Sequence, residues 1–350
     1  MVCERTKLIA FLLVVLLIQI EVPPIYACIS EWPPLENPYV ATLNGSFDVQ
    51  GRGTYKVVVY YPEYGSGKPY PAVVFAHGFG SCSSWHKWIG RILARNGYVM
   101  LSFTVPNRVS TEVQQWVDGF EGGITYLQEL NKDSPQLSGM IDMSRLGVMG
   151  HSMGGMAAIV AASRNPKIKA AVILAAPYMK DKQFDDEYAE KLRLEIDWDG
   201  VLTASRSINV PIQFQVGTRD AFASDNAGKY YEAVNSSLKE FVTIEGGNHV
   251  QYLDDEAVWS SLSGLIPLMI SILRSLTLRQ IIEIILSLLF GEEGISILRL
   301  MFAELSDVAF IFGLDQSASI SLSEQHEVSS QKFLAFLNLY LRMEASPFEG

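Results

Sequence analysis

The segment RLGVMGHSMGGMAAIVAASR, residues 145–164, is the sequence feature that most restricts the fold. Its apolar start predicts a buried strand, its Ala-rich end predicts a helix, and only a glycine-rich pentapeptide separates them. Gly150 and Gly154 would let the strand and the helix approach closely, with Ser152 held in a strained backbone conformation between them. The pattern therefore predicts a sharp strand-to-helix turn with Ser152 at its tip. A glycine-rich turn with a purely structural role is the alternative.

Apolar segments alternate with helical patterns along residues 54–253. The predicted strands are TYKVVVYYP, PAVVFAHG, YVMLSFTVP, SRLGVMGHS, KAAVILAAP, VPIQFQVGTRD and KEFVTIEGG. Helices are predicted over 83–96, 111–131, 153–164 and 226–235, and Gly97 is expected to end the first of them. Continuous apolar strands separated by helices are typical of a parallel sheet covered on both faces. We therefore expect an α/β fold whose core, residues 54–253, is a mostly parallel, doubly wound sheet with helices on both faces.

Residues 254–330 depart from this alternation. They contain the apolar helical segments LSGLIPLMISILRSL, LRQIIEIILSLLF and ISILRLMFAEL, each too short or too interrupted by charge to span a membrane. We predict a packed helical insertion, or a helix pair that dimerises through 262–312. A surface that contacts a membrane, another apolar surface or the substrate, as a lid would, is the alternative. Residues 331–350 are expected to close the core with an amphipathic helix.

The first 27 residues have the layout of an export signal. Arg5 and Lys7 precede the apolar run 8–18, and a polar, proline-bearing stretch ends at Ala27. We expect the signal to be removed, which predicts a secreted or cell-surface protein; an uncleaved N-terminal anchor is the alternative. Cleavage after Ala27 would leave Cys28 as the first residue, which resembles a lipoprotein site, so a lipid anchor at Cys28 is a further alternative. Residues 28–53 are then an N-terminal extension.

Composition excludes some classes of protein and partner. The chain has 350 residues and a formal net charge of −11, so it lacks the clustered Lys and Arg that nucleic-acid binding requires. Its three cysteines are Cys3, Cys28 and Cys82. Because Cys3 lies in the signal, at most one bridge remains, and a disulfide framework cannot replace a hydrophobic core.

A serine hydroxyl needs a histidine base to act as a nucleophile, and the base needs a carboxylate to fix its tautomer. After a strand-to-helix turn of this kind, the expected chain order is Ser152, then an acid, then a histidine. His249 and His326 are the two downstream histidines. His249 follows an apolar strand in EGGNHVQY, where glycines allow the ring to reach the sheet edge. His326 lies in the polar stretch SLSEQHEVSS and is expected to be a solvated surface residue.

The acid is expected at the carboxyl end of a strand, where open α/β sheets place their sites. Asp220 directly follows the strand within VPIQFQVGTRD and is the candidate. Asp225 is the runner-up, although it could instead cap the next helix. Glu245 and Asp254 flank His249, but the first is expected within a strand and the second beyond the loop.

The negative oxygen that develops during acyl transfer needs two backbone N–H donors. Met153 begins the helix after Ser152 and supplies one of them. Phe79, in the loop AHGFGS, is the candidate for the other, since its flanking glycines let the loop fold close to the site. His77 is expected to orient this loop, and His151 to pack beside the serine or line the pocket.

With these residues in hand, the chain resembles the α/β-hydrolase superfamily, and within it the secreted cutinase-like polyester hydrolases (PETase-type) and the neighbouring dienelactone hydrolase group. The matching motifs are FAHGFGS, DMSRLGVMGHSMGG, LAAP, VGTRDAFAS and GGNHV, in the order of the family and within 54–249. The resemblance implies a triad of Ser152, Asp220 and His249. It also implies that the amides of Phe79 and Met153 hold the oxyanion.

The resemblance further implies an aromatic residue that stacks on substrate shortly after LAAP, and Tyr178 stands there. A tyrosine that only caps the sheet edge is the alternative. Tyr178, His151 and Trp85 are the candidate substrate-binding residues. Two features depart from the cutinase-like pattern: the apolar insertion, and the lack of any cysteine after Cys82, where that branch carries a C-terminal disulfide. The serine at residue 152 departs from the cysteine nucleophile of the dienelactone group.

Together these features predict a secreted serine hydrolase that cleaves carboxylic esters, with polyesters such as polyethylene terephthalate as a possible substrate class. The chemistry needs no metal and no organic cofactor. Amide or peptide hydrolysis by the same residues is one alternative. A catalytically silent protein that binds a membrane or a partner through its apolar helices is the other.

Overall fold

The computed structural model describes residues 39–64, 67–182, 193–220, 222–223, 228–254 and 318–342. The predicted export signal, Cys28 and the apolar stretch 262–312 lie outside the described residues, as does the alternative acid Asp225. Their predicted roles, including membrane contact and dimerisation, therefore stay predictions.

The described strands form one sheet of eight. They are β1 (Val40–Val49), β2 (Gly53–Pro62), β3 (Tyr70–Ala76), β4 (Val99–Thr104), β5 (Ile141–His151), β6 (Ile168–Leu174), β7 (Ile212–Gly217) and β8 (Lys239–Ile244). Their order across the sheet is β1-β2-β4-β3-β5-β6-β7-β8. β2 is antiparallel to β1 and to β4, and the neighbours from β4 through β8 are parallel. The expected mostly parallel, doubly wound sheet is confirmed.

The helices connect these strands. They are α1 (Lys87–Arg95), α2 (Val113–Asp133), α3 (Met153–Arg164), α4 (Trp198–Arg206), α5 (Gly228–Ala233) and α6 (Leu322–Leu341), with short 3-10 turns at Ser83–His86 and Val250–Tyr252. Gly97 ends α1 as predicted, because its φ of +73° is a backbone conformation that glycine adopts without strain. Within the described part, no helix combines the length and the apolar character needed to cross a bilayer.

Both faces of the central strands β3, β4 and β7 are buried, which explains why these strands read as continuous apolar runs. All seven residues of β3 are buried. Val73 and Phe75 point to one face, where they share a core with residues of α1 and α6. Val74 points to the other face, toward Gly123 of α2. Because successive side chains alternate between faces, one central strand contributes to two hydrophobic layers.

Three elements differ from the sequence predictions. The extension 28–53 contains an edge strand, β1, whose segment VATLNGSFDV is rich in residues that disfavour strands. The polar stretch before β7 contains α4. Asp197 caps the N-terminus of this helix, because its side chain accepts a hydrogen bond from Gly200 N–H at 2.8 Å. The closing helix begins at Leu322 rather than near 331, so the predicted boundary at 330 cuts through α6.

Cys82 is fully buried and disulfide-bonded, and its partner lies outside the described residues. The bridge agrees with the expectation of one at most. Cys82 lies in the loop that follows β3, directly after the segment predicted to contribute the Phe79 amide.

Candidate active site

Ser152 lies at the sharp turn between β5, which ends at His151, and α3, which begins at Met153. Its φ of 56° and ψ of −120° are unusual for a residue with a side chain, and its amide donates to the Leu174 carbonyl at 2.9 Å. A Cβ on Gly150 would lie 2.1 Å from the Gly154 carbonyl oxygen. The sequence prediction of a strained serine between obligatory glycines is therefore met by the backbone geometry.

We expect Gly154→Ala to destabilise the protein by about 1–3 kcal/mol or more. The added Cβ would lie 2.2 Å from the Ala76 carbonyl oxygen and 2.5 Å from that of His77, and backbone cannot move aside cheaply. In an open helix, replacement of glycine by alanine raises the free energy of unfolding by up to about 1 kcal/mol. The clash therefore turns a stabilising substitution into a destabilising one. Urea unfolding measures the difference. Gly228→Ala is the matched control, because a Cβ there meets no atom within 4 Å. A Gly154→Ala protein as stable as the control would contradict the steric account.

His249 and Asp220 form a buried pair at the carboxyl end of the sheet. The Nδ1–H of His249 donates to Oδ2 of Asp220 at 3.0 Å, and the two side chains are 3% and 0% exposed. The other carboxylate oxygen, Oδ1, accepts from the amides of Phe222 at 2.9 Å and Ala223 at 2.8 Å. A proton held on Nδ1 leaves Nε2 as the basic nitrogen of a neutral ring. This is the tautomer that a general base needs.

The loops that carry the acid and the base are joined through their backbones. Thr218 N–H donates to the Ile244 carbonyl at 3.0 Å, and Arg219 N–H donates to the Gly247 carbonyl at 2.9 Å. Gly217 permits this approach, because a Cβ there would lie 2.2 Å from the Gly247 carbonyl oxygen. The spacing between Asp220 and His249 is thus set by main-chain contacts between the ends of β7 and β8.

The turn that carries Ser152 lies next to the histidine loop. The ring of His151, the neighbour of Ser152, is centred 4.8 Å from the ring of His249. Its Nε2–H also donates to the His249 carbonyl at 3.0 Å. The structure therefore brings Ser152, Asp220 and His249 to one edge of the sheet, although they are separated by up to 97 positions in the chain.

The predicted oxyanion loop approaches Ser152 from the end of β3. A Cβ on Gly78 would lie 2.8 Å from the Ser152 Cβ, so glycine is needed for this contact. Ser81 N–H donates to the Gly78 carbonyl at 3.2 Å, which makes Phe79 an inner residue of a turn. Met153 occupies the first position of α3, where amides have no partner within the helix. The loop that holds Phe79 and the first residue of α3 therefore both lie beside Ser152, and the oxyanion roles of the Phe79 and Met153 amides stay predictions.

His77 holds this loop in place, as the sequence predicted. Its Nε2 accepts from Val105 N–H at 3.2 Å, which leaves the proton on Nδ1 to donate to the Gly78 carbonyl at 2.6 Å. Burial lowers the pKa of His77 to about 3. The ring is therefore neutral over the ordinary pH range and acts as a fixed bridge between two loops.

His151 packs within a chain of buried histidines and is 4% exposed, so its role in substrate binding stays a prediction. Its Nδ1 lies 3.2 Å from His86 Nε2, and one proton is shared by this contact. Burial lowers the pKa of His151 well below its usual value, and His249 and His86 lower it further. Burial likewise lowers the pKa of His86 to about 3. His86 is a supporting residue that the sequence pattern did not reveal.

These buried histidines should make the protein less stable as the pH falls below about 6.5. The folded-state pKa values of His77 and His86 are about 3, and burial lowers that of His326 to about 4. The unfolded chain then binds more protons, and each group removes up to about 1.4 kcal/mol per pH unit between about 6.5 and its folded pKa. Urea unfolding from about pH 7.5 to 4.5 tests this, because carboxyl groups titrate mainly lower. An unchanged unfolding free energy across that range would contradict it.

The candidate substrate-binding residues have different environments. Tyr178 is 4% exposed, lies edge-on to Trp198 and Tyr230, and has the Lys229 ammonium 4.6 Å from its ring centre. Little of its ring faces solvent, so its role in substrate binding stays a prediction. Trp85 is partly exposed and accepts from Asp254 N–H through its carbonyl, which places it near the end of the histidine loop.

The alternatives for the acid and the base are placed elsewhere. His326 stacks on Trp88 with ring centroids 3.9 Å apart, and its Nε2–H donates to the Leu253 carbonyl at 3.1 Å. The expectation that it is a solvated surface residue is therefore wrong, because an aromatic ring and a carbonyl hold it. Glu245 is exposed, at the end of β8.

Among the described side chains, His, Cys, Asp and Glu form no group of three that could hold a metal ion.

Comparison with known proteins identifies a similar family. A family model described as PETase, PET hydrolase-like, matches residues 37–207. The matched part includes Phe79, Ser152 and Tyr178, while Asp220 and His249 follow it.

Characterised relatives are similar over part of the chain. A bis(hydroxyethyl) terephthalate hydrolase from Streptomyces coelicolor is 35% identical over 143 residues, which is 41% of this chain and 44% of that protein. Cutinase 1 from Thermobifida cellulosilytica is 25% identical over 195 residues, 55% of this chain and 64% of that protein. A cutinase from Thermobifida fusca is 25% identical over 195 residues, 55% of this chain and 56% of its own length. The chain thus matches about half of the length of these relatives.

The sheet order, the strained serine turn, the family model and these relatives agree with one another. The chain has the sheet of an α/β-hydrolase fold, and it is similar to the PET hydrolase-like enzymes and the cutinases.

Proposed function

We propose that the protein is a serine hydrolase that cleaves carboxylic esters through an acyl-enzyme intermediate. The observation that carries the proposal is the buried hydrogen bond from His249 Nδ1–H to Asp220 Oδ2 beside the strained turn at Ser152. The names of the relatives, cutinases and a bis(hydroxyethyl) terephthalate hydrolase, support ester substrates.

In the proposed mechanism, His249 Nε2 takes the proton of the Ser152 hydroxyl as its oxygen attacks the ester carbonyl. Asp220 stabilises the imidazolium that forms, and the amides of Phe79 and Met153 donate to the negative oxygen. The imidazolium then gives its proton to the leaving alcohol. Water, activated by the same histidine, attacks the acyl-enzyme and releases the acid and the free serine.

The strained backbone at Ser152 has a function in this mechanism. In this proposal, the unusual backbone at Ser152, with a φ of 56°, presents the hydroxyl beside the unpaired first amides of α3. The serine and the N–H donors are thus fixed before substrate arrives. Donors that need no rearrangement stabilise the transition state at little cost in reorganisation.

Among esters, we propose that aromatic dicarboxylic esters are a substrate class. The support is the relative named for bis(hydroxyethyl) terephthalate and the PET hydrolase-like family model. Cleavage of the solid polymer is a narrower proposal. A soluble ester enters the site as a single molecule, whereas a film must bring its surface into contact with the site.

A substrate panel tests the function. It contains p-nitrophenyl butyrate, the matched p-nitroanilide, bis(hydroxyethyl) terephthalate and a polyethylene terephthalate film, with fluorophosphonate labelling of the serine measured in parallel. We expect hydrolysis of both small esters, covalent labelling and little release from the anilide. Faster cleavage of the anilide would indicate an amide hydrolase. Absence of labelling and of all hydrolysis would indicate a catalytically silent protein.

A further inference from the structure

The helix α6, which closes the fold, begins against the loop that carries His249. Gln325 lies in its first turns and is fully buried. Its side-chain Oε1 accepts from Asn248 N–H at 2.9 Å, and its Nε2–H donates to the Asn248 carbonyl at 2.9 Å. One amide side chain therefore satisfies both polar groups of the backbone residue that directly precedes His249.

The loop is shaped to receive this side chain. A Cβ on Gly247 would lie 2.6 Å from Gln325 Oε1, so a larger residue would displace the amide. Asn248 in turn accepts from Gln251 N–H through its side chain at 3.0 Å, and Gln251 Nε2–H donates to the Ile320 carbonyl at 3.0 Å. The backbone on both sides of His249 is therefore fixed to the start of α6.

The position of Gln325 along the helix is itself fixed. Ser321 and Glu324 form a capping box, in which Glu324 N–H donates to Ser321 Oγ at 3.2 Å and Ser321 N–H donates to Glu324 Oε2 at 2.7 Å. One turn further along, Ser329 Oγ–H donates to Gln215 Oε1 at 2.6 Å. Gln215 belongs to β7, the strand that leads to Asp220, so α6 contacts the supports of both the acid and the base.

We propose that Gln325 is a positioning residue that sets the orientation of His249 for catalysis. It acts through the backbone: the Asn248 peptide directs the Cα–Cβ bond of His249, and the direction of that bond places Nε2. Two hydrogen bonds in a buried site hold the peptide more firmly than packing alone, because an unpaired buried amide is costly. This inference rests on the proposed function, since it assigns Gln325 a role in the same reaction.

The test compares Gln325→Met with Gln331→Met. Methionine has nearly the length of glutamine and fills the same space, but it makes neither hydrogen bond. Gln331 is exposed on the same helix, where its Nε2–H donates only to Glu327 Oε1 at 3.2 Å. For p-nitrophenyl butyrate, we expect Gln325→Met to lower kcat by about 10- to 100-fold, with KM within about twofold of wild type. Gln331→Met should retain wild-type values.

A spectroscopic measurement separates this inference from the proposed function. The low-field proton resonance of His249 Nδ1–H reports its hydrogen bond to Asp220 and does not depend on turnover. In Gln325→Met we expect this resonance to shift or broaden. A wild-type chain without esterase activity would end the proposed function, while the resonance still tests the positioning role. Unchanged kcat together with an unchanged resonance would overturn the inference.

A second variant keeps the test decisive if Gln325→Met does not fold. In Gln325→Glu, the neutral carboxyl can both accept from Asn248 N–H and donate to its carbonyl, whereas the ionised form can only accept. Burial raises the pKa of a carboxyl, so the neutral form persists toward neutral pH. We expect kcat of Gln325→Glu to fall above that pKa relative to wild type measured at the same pH. A wild-type pH profile would overturn the positioning role.

Discussion

Replacement of Ser152 by alanine is expected to lower kcat for ester hydrolysis by roughly 10⁴- to 10⁶-fold. The change removes the oxygen that forms the acyl-enzyme and leaves every other group in place. Because serine and alanine share a Cβ, the backbone strain at φ 56° is the same in both proteins. We therefore expect the free energy of unfolding to change little, which separates loss of chemistry from loss of fold.

The measurement is the steady-state rate on p-nitrophenyl butyrate together with fluorophosphonate labelling. Ser163→Ala is the matched control, because Ser163 lies in α3, the helix that follows Ser152, and its hydroxyl donates to the Val160 carbonyl at 2.8 Å. The control should hydrolyse the ester at the wild-type rate and label normally. Substantial turnover by the Ser152→Ala protein would show that another group is the nucleophile.

The sequence predicted the part of the site that short-range patterns determine. Gly150, Ser152 and Gly154 lie within one pentapeptide, and the strand and helix on either side have distinct apolar periods. Asp220 and His249 each follow an apolar strand. Because parallel strands end at one edge of the sheet, their meeting could be expected without knowing the contacts.

The supporting residues could not be predicted in this way, because their roles depend on contacts between distant segments. His86 reaches His151 across 65 positions, and Gln325 reaches Asn248 across 77. Neither residue lies in a pattern that distinguishes a buried amide or ring from a solvated one. His326 shows the same difficulty: its polar neighbours indicate a surface, yet it stacks on Trp88.

One local signal for α6 was present in the sequence. Ser321 and Glu324 have the S-x-x-E spacing of a capping box, followed by an apolar pattern that ends near Leu341. That spacing places the start of the helix at 322, where the structure has it, and not near 331. The boundary matters for experiments: a deletion through 330 removes Gln325 and Ser329 together with the apolar stretch. Loss of activity in such a variant would report on His249 and its supports.

Replacement of the proposed acid is also expected to have a large effect on activity. We expect Asp220→Asn to lower kcat by about 10⁴-fold without loss of fold. The asparagine Oδ1 can still accept from the amides of Phe222 and Ala223, which keeps the loop closed. Its NH₂ group, however, replaces the oxygen that faces His249 Nδ1. That nitrogen must then accept a hydrogen bond, so the proton moves to Nε2 and the ring can no longer take a proton from Ser152.

The control for this variant is Asp225→Asn, the same chemical change five positions further along the chain. If Asp220 is the acid, Asp225→Asn retains wild-type kcat on p-nitrophenyl butyrate, and unfolding midpoints of both variants stay close to that of wild type. The low-field resonance of His249 Nδ1–H should disappear in Asp220→Asn only, because that nitrogen no longer carries the proton. Full activity in Asp220→Asn with an inactive Asp225→Asn would instead assign the acid to Asp225. In that case the bond to Asp220 would fix the ring without stabilising its charge during the reaction.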